Sequence, residues 1–211
     1  MRRKRKIMVL AICVVWGLIL WPTPGQATLI TIEIEAVVDS VSDEGNYLEG
    51  KIKVGDIITG FYSYDSSTPD TNPSPTVGHY WHYDTPAGIS LTVRGWNFQT
   101  DPANVEFLIG VGNDGPSGND LYWLASYNNA SLDNGALVDS IWWQLNDNTG
   151  SALSSDALPT TFPFLGDWQA DVLGIEADRR YAISAHVSSA IPEPCTIVFL
   201  GLGGFVLRKR S

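Results

Sequence analysis

Ile30-Thr31-Ile32-Glu33-Ile34-Glu35-Ala36-Val37-Val38 is the stretch whose reading decides the fold. Ile30, Ile32, Ile34, Ala36 and Val38 alternate with Thr31, Glu33 and Glu35. Side chains of a β-strand point to opposite faces in turn, so this period of two predicts a strand with one buried and one wet face. The same pattern recurs downstream, where Leu48, Gly50, Ile52 and Val54 alternate with Glu49, Lys51 and Lys53. Near the end, Tyr181, Ile183, Ala185 and Val187 alternate with Ala182, Ser184 and His186. Both predict further half-buried strands.

Shorter runs predict strands over 57–64, 78–83, 89–93, 96–100, 105–111, 121–127, 138–145 and 172–176. Gly55-Asp56 and Arg94-Gly95 read as tight reversals or bulges, because apolar parity shifts across them. The segment 66–76 carries Pro69, Pro73 and Pro75 and reads as a loop. Helical periodicity is not sustained over three turns anywhere. About ten short strands with polar turns predict an all-β domain, an antiparallel β-sandwich or jelly roll, with a closed barrel as second choice.

The two ends have a different composition. Arg2, Arg3, Lys4, Arg5 and Lys6 precede an apolar run over 7–21, and the segment closes on Gly25-Gln26-Ala27. A basic start, a short apolar core and small residues at the cleavage positions predict a signal peptide over 1–27, cut after Ala27. At the other end Ile191-Pro192-Glu193-Pro194-Cys195 leads into a glycine-interrupted apolar stretch over 196–207, and then Arg208-Lys209-Arg210. A helix over that stretch would be ~20 Å long against a hydrocarbon core of ~30 Å, a weak anchor. Both basic clusters should stay cytoplasmic, with the middle of the chain displayed outside.

The triplet Pro192-Glu193-Pro194, the apolar stretch and the closing basic cluster, in this order and spacing, resemble the PEP-CTERM sorting signal over 191–211. The resemblance implies recognition by an exosortase, a membrane protease-transpeptidase that cuts near the triplet. It also implies a Gram-negative bacterium that makes extracellular polysaccharide, and a chain held transiently in the membrane before reaching the cell surface or matrix. Cys195 stands where Ser or Ala is more usual in such tails. A second run, 54–65, with the Pro-rich loop and Val77-Gly78-His79-Tyr80 after it, resembles a segment recurring among exported PEP-CTERM proteins. That likeness carries no activity.

Between the signals, 28–190 is one domain's worth of chain. Its cysteines are absent, since Cys13 and Cys195 both lie in the signals, which excludes a disulfide framework and a cysteine nucleophile or ligand there. Its five cations, Lys51, Lys53, Arg94, Arg179 and Arg180, face 22 acidic residues, a net of −17 where the whole chain carries −10. Such a surface repels nucleic acid and anionic lipid, and suits neutral glycans, divalent cations or simple solubility.

Motifs for catalysis are thin. Glu33 and Glu35 share a strand face at a spacing that a glycosidase pair would tolerate, but they sit in the polar register, as a solvated sheet face would. The chain has no G-x-S-x-G elbow and no glycine-rich phosphate loop. His79 and His82, three apart on a strand, should face opposite sides and so not converge on one metal. The turns at 113–120 and 146–150 carry clustered hard oxygens, with Asp114, Asn119 and Asp120 as candidate calcium ligands. The same residue types also serve any tight turn. No other cofactor is expected.

The aromatic doublets Tyr80-Trp81, Tyr122-Trp123 and Trp142-Trp143 are the most suggestive feature. Neighbours on a strand face opposite ways, so one member of each doublet should pack in the core and the other point outward. Trp81, Trp123 and Trp142 are the candidate outward members, a possible platform for sugar rings. The competing expectation is an aromatic-rich core whose outward members lie under loops such as 151–166. The resulting expectation is a non-catalytic exported protein with a structural role at the surface or in the polysaccharide matrix. The alternative is a carbohydrate-binding module, with a surface glycan hydrolase further off.

Overall fold

Side chains from strands far apart in the sheet touch each other at the centre of this molecule, and that contact defines its shape. The computed structural model describes residues 29–192, apart from Pro116, Phe162, Pro163 and Arg179. Ten strands follow in order: β1 (Leu29–Ser42), β2 (Ile57–Asp65), β3 (Val77–His82), β4 (Gly88–Val93), β5 (Trp96–Gln99), β6 (Phe107–Gly112), β7 (Asp120–Ser126), β8 (Ser140–Asp147), β9 (Ala170–Ala177) and β10 (Tyr181–Pro192). A single 3-10 turn, Leu165–Asp167, precedes β9. All ten pair antiparallel in one sheet, in the order β3-β6-β7-β8-β9-β10-β1-β2-β4-β5.

The alternation read in β1 is realised directly, with Ile32, Ile34, Ala36 and Val38 buried and Glu33 and Glu35 exposed. The sheet curls so that its inner face meets itself. Tyr62 of β2 and Tyr122 of β7 bring their hydroxyls to 3.1 Å, although five ladders separate the two strands. Tyr62 also meets Trp143 of β8 edge-on at 6.1 Å, and Phe98 of β5 meets Tyr181 of β10 at 6.4 Å. Tyr64 of β2 reaches His82 of the edge strand β3 at 6.4 Å. The molecule is therefore a half-barrel around one core. Register shifts between Glu35 and Ala36, and between Val38 and Ser40, bend the long β1–β10 pair as bulges do.

Loops complete the core. Leu48 and Ile52, then Leu132, Ala136 and Val138, and then Leu158 are buried from the three longest connections. Each large apolar side chain fully buried in this way contributes about 1.5–3 kcal/mol. The Pro-rich connection lies along the free edge of β3. Thr71 donates its N–H to the His79 carbonyl at 3.0 Å, and His79 donates its N–H to Asp70 Oδ1 at 2.8 Å. An edge occupied in this way is closed to further strand pairing.

Two expectations need correcting. The ladders run unbroken through all ten strands, so they give one curled sheet where two packed sheets were expected, because inner-face aromatics fill the space a second sheet would occupy. The strand expected over 48–54 is instead a series of turns, with Asn46, Glu49 and Gly50 at positive φ. There Asp43 accepts the N–H groups of Tyr47 (2.7 Å) and Leu48 (2.8 Å), and Asp56 accepts that of Lys53 (2.8 Å). Local side-chain acceptors thus replace a ladder. Arg94-Gly95 forms the expected two-residue hairpin, with φ of 50° and 83° as a type I′ turn requires. β10 remains paired with β1 as far as Pro192, opposite Ile32, two residues past the expected domain boundary. The expected signal peptide over 1–27, and Glu193, Pro194 and the rest of the expected sorting tail, lie outside the described residues, among which no helix is long and apolar enough to cross a membrane.

Candidate functional site: an aromatic face outside the half-barrel

Strand parity sorts each aromatic doublet as its spacing demands. Tyr80, Tyr122 and Trp143 are buried inside, while Trp81, Trp123 and Trp142 stand on the outer face, half-buried. The ladders set these outward residues in two rows across the sheet. One row runs His79, Gly110, Trp123, Gln144, and the next runs Trp81, Leu108, Ala125, Trp142, Gly174.

Glycines seat the rings. A Cβ built on Gly110 would come within 2.0 Å of Cε2 and Cζ2 of Trp123, and one on Gly174 within 2.3 Å of Cε2 of Trp142. The Trp123 indole therefore lies over the backbone of β6, and the Trp142 indole over that of β9. A glycine inside a strand marks such a close approach. Leu108 and Ala125 are buried on this face without belonging to the inner core, since the aromatic layer covers them.

Two residues missed by the sequence reading extend the layer. The ring planes of Trp81 and Tyr83 lie within 6° of parallel with centres 6.1 Å apart, and Trp81 meets Tyr127 at 5.8 Å. His79 closes edge-on against Trp123 at 5.6 Å. Tyr83 is 63 % exposed and Tyr127 46 %, so this cluster presents ring area to water. Tyr83 could have been found from Trp81, because i and i+2 share a face, and Tyr127 from Trp123 by the same rule.

Polar groups border the rings. Glu106 accepts a hydrogen bond from Asn128 Nδ2 at 2.9 Å, and Glu176 accepts one from Ser140 Oγ at 2.9 Å. A shallow trough of about 260 Å³ runs between Trp123, Tyr127 and Trp142, with Gln144, Ser140 and Glu176 at its side. The loop expected to cover outward aromatics engages the inner side instead. Tyr64 donates its hydroxyl to the Pro159 carbonyl and Tyr80 to that of Asp156, both at 2.8 Å.

Glu33 and Glu35 are both exposed on the outer face of β1, opposite Phe61 and Thr59 of β2. His79 and His82 face opposite sides. His82 is buried, its Nδ1 donating to the Tyr80 carbonyl at 3.1 Å while Nε2 lies 2.9 Å from Thr68 Oγ1 and 3.4 Å from the Asp65 carbonyl, and burial lowers its pKa. Of the calcium candidates, Asp120 is wholly buried, one carboxylate oxygen accepting the Asp114 N–H (2.9 Å) and the other the Leu153 N–H (2.7 Å). Asn119 accepts the Gly115 N–H through its backbone carbonyl at 3.0 Å, and Asp114 is exposed at φ 50°. Among the described residues no group of three or more His, Cys, Asp or Glu side chains is placed to hold a metal. Compared with protein-family models, with curated proteins and with solved structures, the chain matches none.

Proposed function

We propose that this chain is an exported, non-catalytic glycan-binding protein that holds polysaccharide on the outer aromatic face of its half-barrel. The observation that carries the reading is the seating of Trp123 and Trp142 on Gly110 and Gly174, beside the Trp81, Tyr83 and Tyr127 cluster. Flat, rigid ring faces with carboxylate and amide groups at their border suit the apolar faces and hydroxyl rims of sugars. Stacking on the backbone of the next strand fixes these rings before any ligand arrives, which reduces the entropy lost on binding. The order Pro192-Glu193-Pro194, apolar stretch and basic end supports delivery by an exosortase-type enzyme to the cell surface or the extracellular polysaccharide matrix. The reading needs no metal or other cofactor.

The test is native electrophoresis of the full-length chain, in mild detergent, through gels with and without soluble polysaccharides. Retardation by a polysaccharide, weakened about tenfold by Trp123→Ala, by Trp142→Ala and by Gly110→Ala, is the expected result. Gly110→Ala keeps every aromatic but displaces the Trp123 ring, so it separates ring placement from ring presence. If no polysaccharide retards the chain, the reading fails, and a structural role among protein partners replaces it.

A further inference from the structure

The ligand class follows from the direction of the aromatic layer and from the charge around it, given the glycan-binding reading above. We infer that the platform takes an uncharged polysaccharide along an internal stretch of its chain, laid across the strands, and that it excludes polymers bearing uronate or other anionic groups.

Direction comes from the ladders. The outward rings begin at Trp81 on β3, and the Trp142 ring ends over β9. The adjacent strands β3, β6, β7, β8 and β9 separate these points. At ~4.8 Å per strand spacing the layer is ~19 Å long, several sugar units rather than one. Trp123 leans over β6 and Trp142 over β9, so the two indoles spread away from each other along this line. A pocket for a chain end would need a wall. Here the trough between the indoles is bordered by Tyr127, which meets Trp81 at 5.8 Å, and Trp81 and Tyr83 line a second depression together with Asp65 and Asp84.

Charge sets the exclusion. The side chains that border the two depressions include Glu176, Asp65 and Asp84, with Glu106 beside Tyr127, and neither depression is lined by Lys or Arg. Of the described cations, Lys51 and Lys53 lie in the turns before β2 and Arg94 in the β4–β5 turn against Asp56, while Arg180, in the β9–β10 turn, lines a separate depression on the far side of Glu176. A neutral sugar hydroxyl donates to a carboxylate in a charge-assisted hydrogen bond. A uronate placed over the same rings would meet like charges, with no described Lys or Arg lining either depression to compensate, which is how a site discriminates by repulsion. Glu106 and Glu176 each accept one protein hydrogen bond, from Asn128 and Ser140, which holds them in place while a carboxylate retains further acceptor capacity.

The experiment is native electrophoresis of the full-length chain in mild detergent. The gels contain a neutral polymer (hydroxyethylcellulose or glucomannan) or an acidic one (polygalacturonate or alginate), at low salt and at ~0.15 M salt. Retardation by at least one neutral polymer, little changed by salt, and about tenfold weaker retardation by the acidic polymers at low salt are expected. Oligosaccharides of about six units should compete better than disaccharides of the same sugar, because only the longer ones span the layer. The double variant Glu106→Gln, Glu176→Gln should narrow the gap between neutral and acidic polymers. Equal retardation by acidic and neutral polymers at low salt would overturn this inference while leaving the platform itself standing. Disaccharides competing as well as longer oligomers would overturn the internal-chain geometry. No retardation by any polymer would remove the glycan-binding reading together with this one.

Discussion

Between Trp142 and Trp143 the chain advances one residue and the side chain passes through the sheet. Trp143 is wholly buried, packs edge-on against Tyr62 and Tyr122, and donates its indole N–H to Asp171 Oδ1 at 2.6 Å. Trp142 covers Gly174 on the other side and keeps part of its ring in water. Truncating each should therefore have opposite consequences. Trp143→Ala empties a large core volume and should cost about 3–5 kcal/mol in urea unfolding. Trp142→Ala removes a partly exposed ring and should cost about 1 kcal/mol or less, while weakening polysaccharide retention about tenfold. A large loss of stability from Trp142→Ala would mean that the outer layer is a second core, and the glycan reading would lose its main support. This division was legible in the sequence, because adjacent aromatics on a strand cannot share a face. The glycine seats were not, since Gly110 and Gly174 acquire their partners only through strand pairing with β7 and β8.

At the scale of elements, ten of the eleven expected strands correspond to observed ones because inward positions alternate with polar ones or because the runs are short and apolar. The exception, 48–54, has the same alternation, and its Leu48 and Ile52 are indeed buried. What overrides the pattern is the pair of aspartates at either end, whose carboxylates offer the backbone a closer acceptor than a neighbouring strand would. A comparable local arrangement fixes the Pro-rich connection to β3. Thr68 Oγ1 lies 2.9 Å from His82 Nε2, on a ring whose Nδ1 faces the Tyr80 carbonyl at 3.1 Å. Burial lowers the pKa of His82, so the fold favours the uncharged form. Its stabilisation is complete above the unfolded value of about 6.5 and is lost as pH falls from there toward the lower folded value. The urea midpoint should therefore decline from pH 7 to pH 5. His82→Gln, which keeps a polar group without the titration, should flatten that decline. A wild-type midpoint that does not move over this interval would show that His82 does not couple to folding.

For the whole molecule, the closure of one end of the half-barrel rests on two aspartates that face each other in the β7–β8 ladder, Asp120 and Asp147. Asp147 accepts the N–H groups of Thr149 (2.8 Å), Ser151 (2.8 Å) and Ala152 (3.1 Å) and the Thr149 hydroxyl, while Asp120 holds the Asp114 and Leu153 N–H groups. The hydroxyl and backbone donors together hold the Asp147 carboxyl far below the usual carboxylate range. In the sequence these same residues read as hard oxygens gathered for a cation. Composition identifies acceptors but not what will donate to them, and here the donors are N–H groups that meet Asp120 and Asp147 only after both loops have folded. The distinction is measurable through pH. A depressed carboxylate stabilises the fold fully above the unfolded value of about 3.9, and that contribution is lost as pH falls through and below it. Asp171 works in the opposite sense, since burial raises its pKa and its protonation on acidification favours the fold, so it offsets part of the decline. Asp147→Asn should lower Tm at neutral pH and make its fall below pH 4 shallower than in the wild type. Calcium should leave Tm of both proteins unchanged. A rise in wild-type Tm with calcium that Asp147→Asn or Asp120→Asn abolishes would assign these oxygens to a cation and overturn the hydrogen-bonded account of how this end of the sheet is closed.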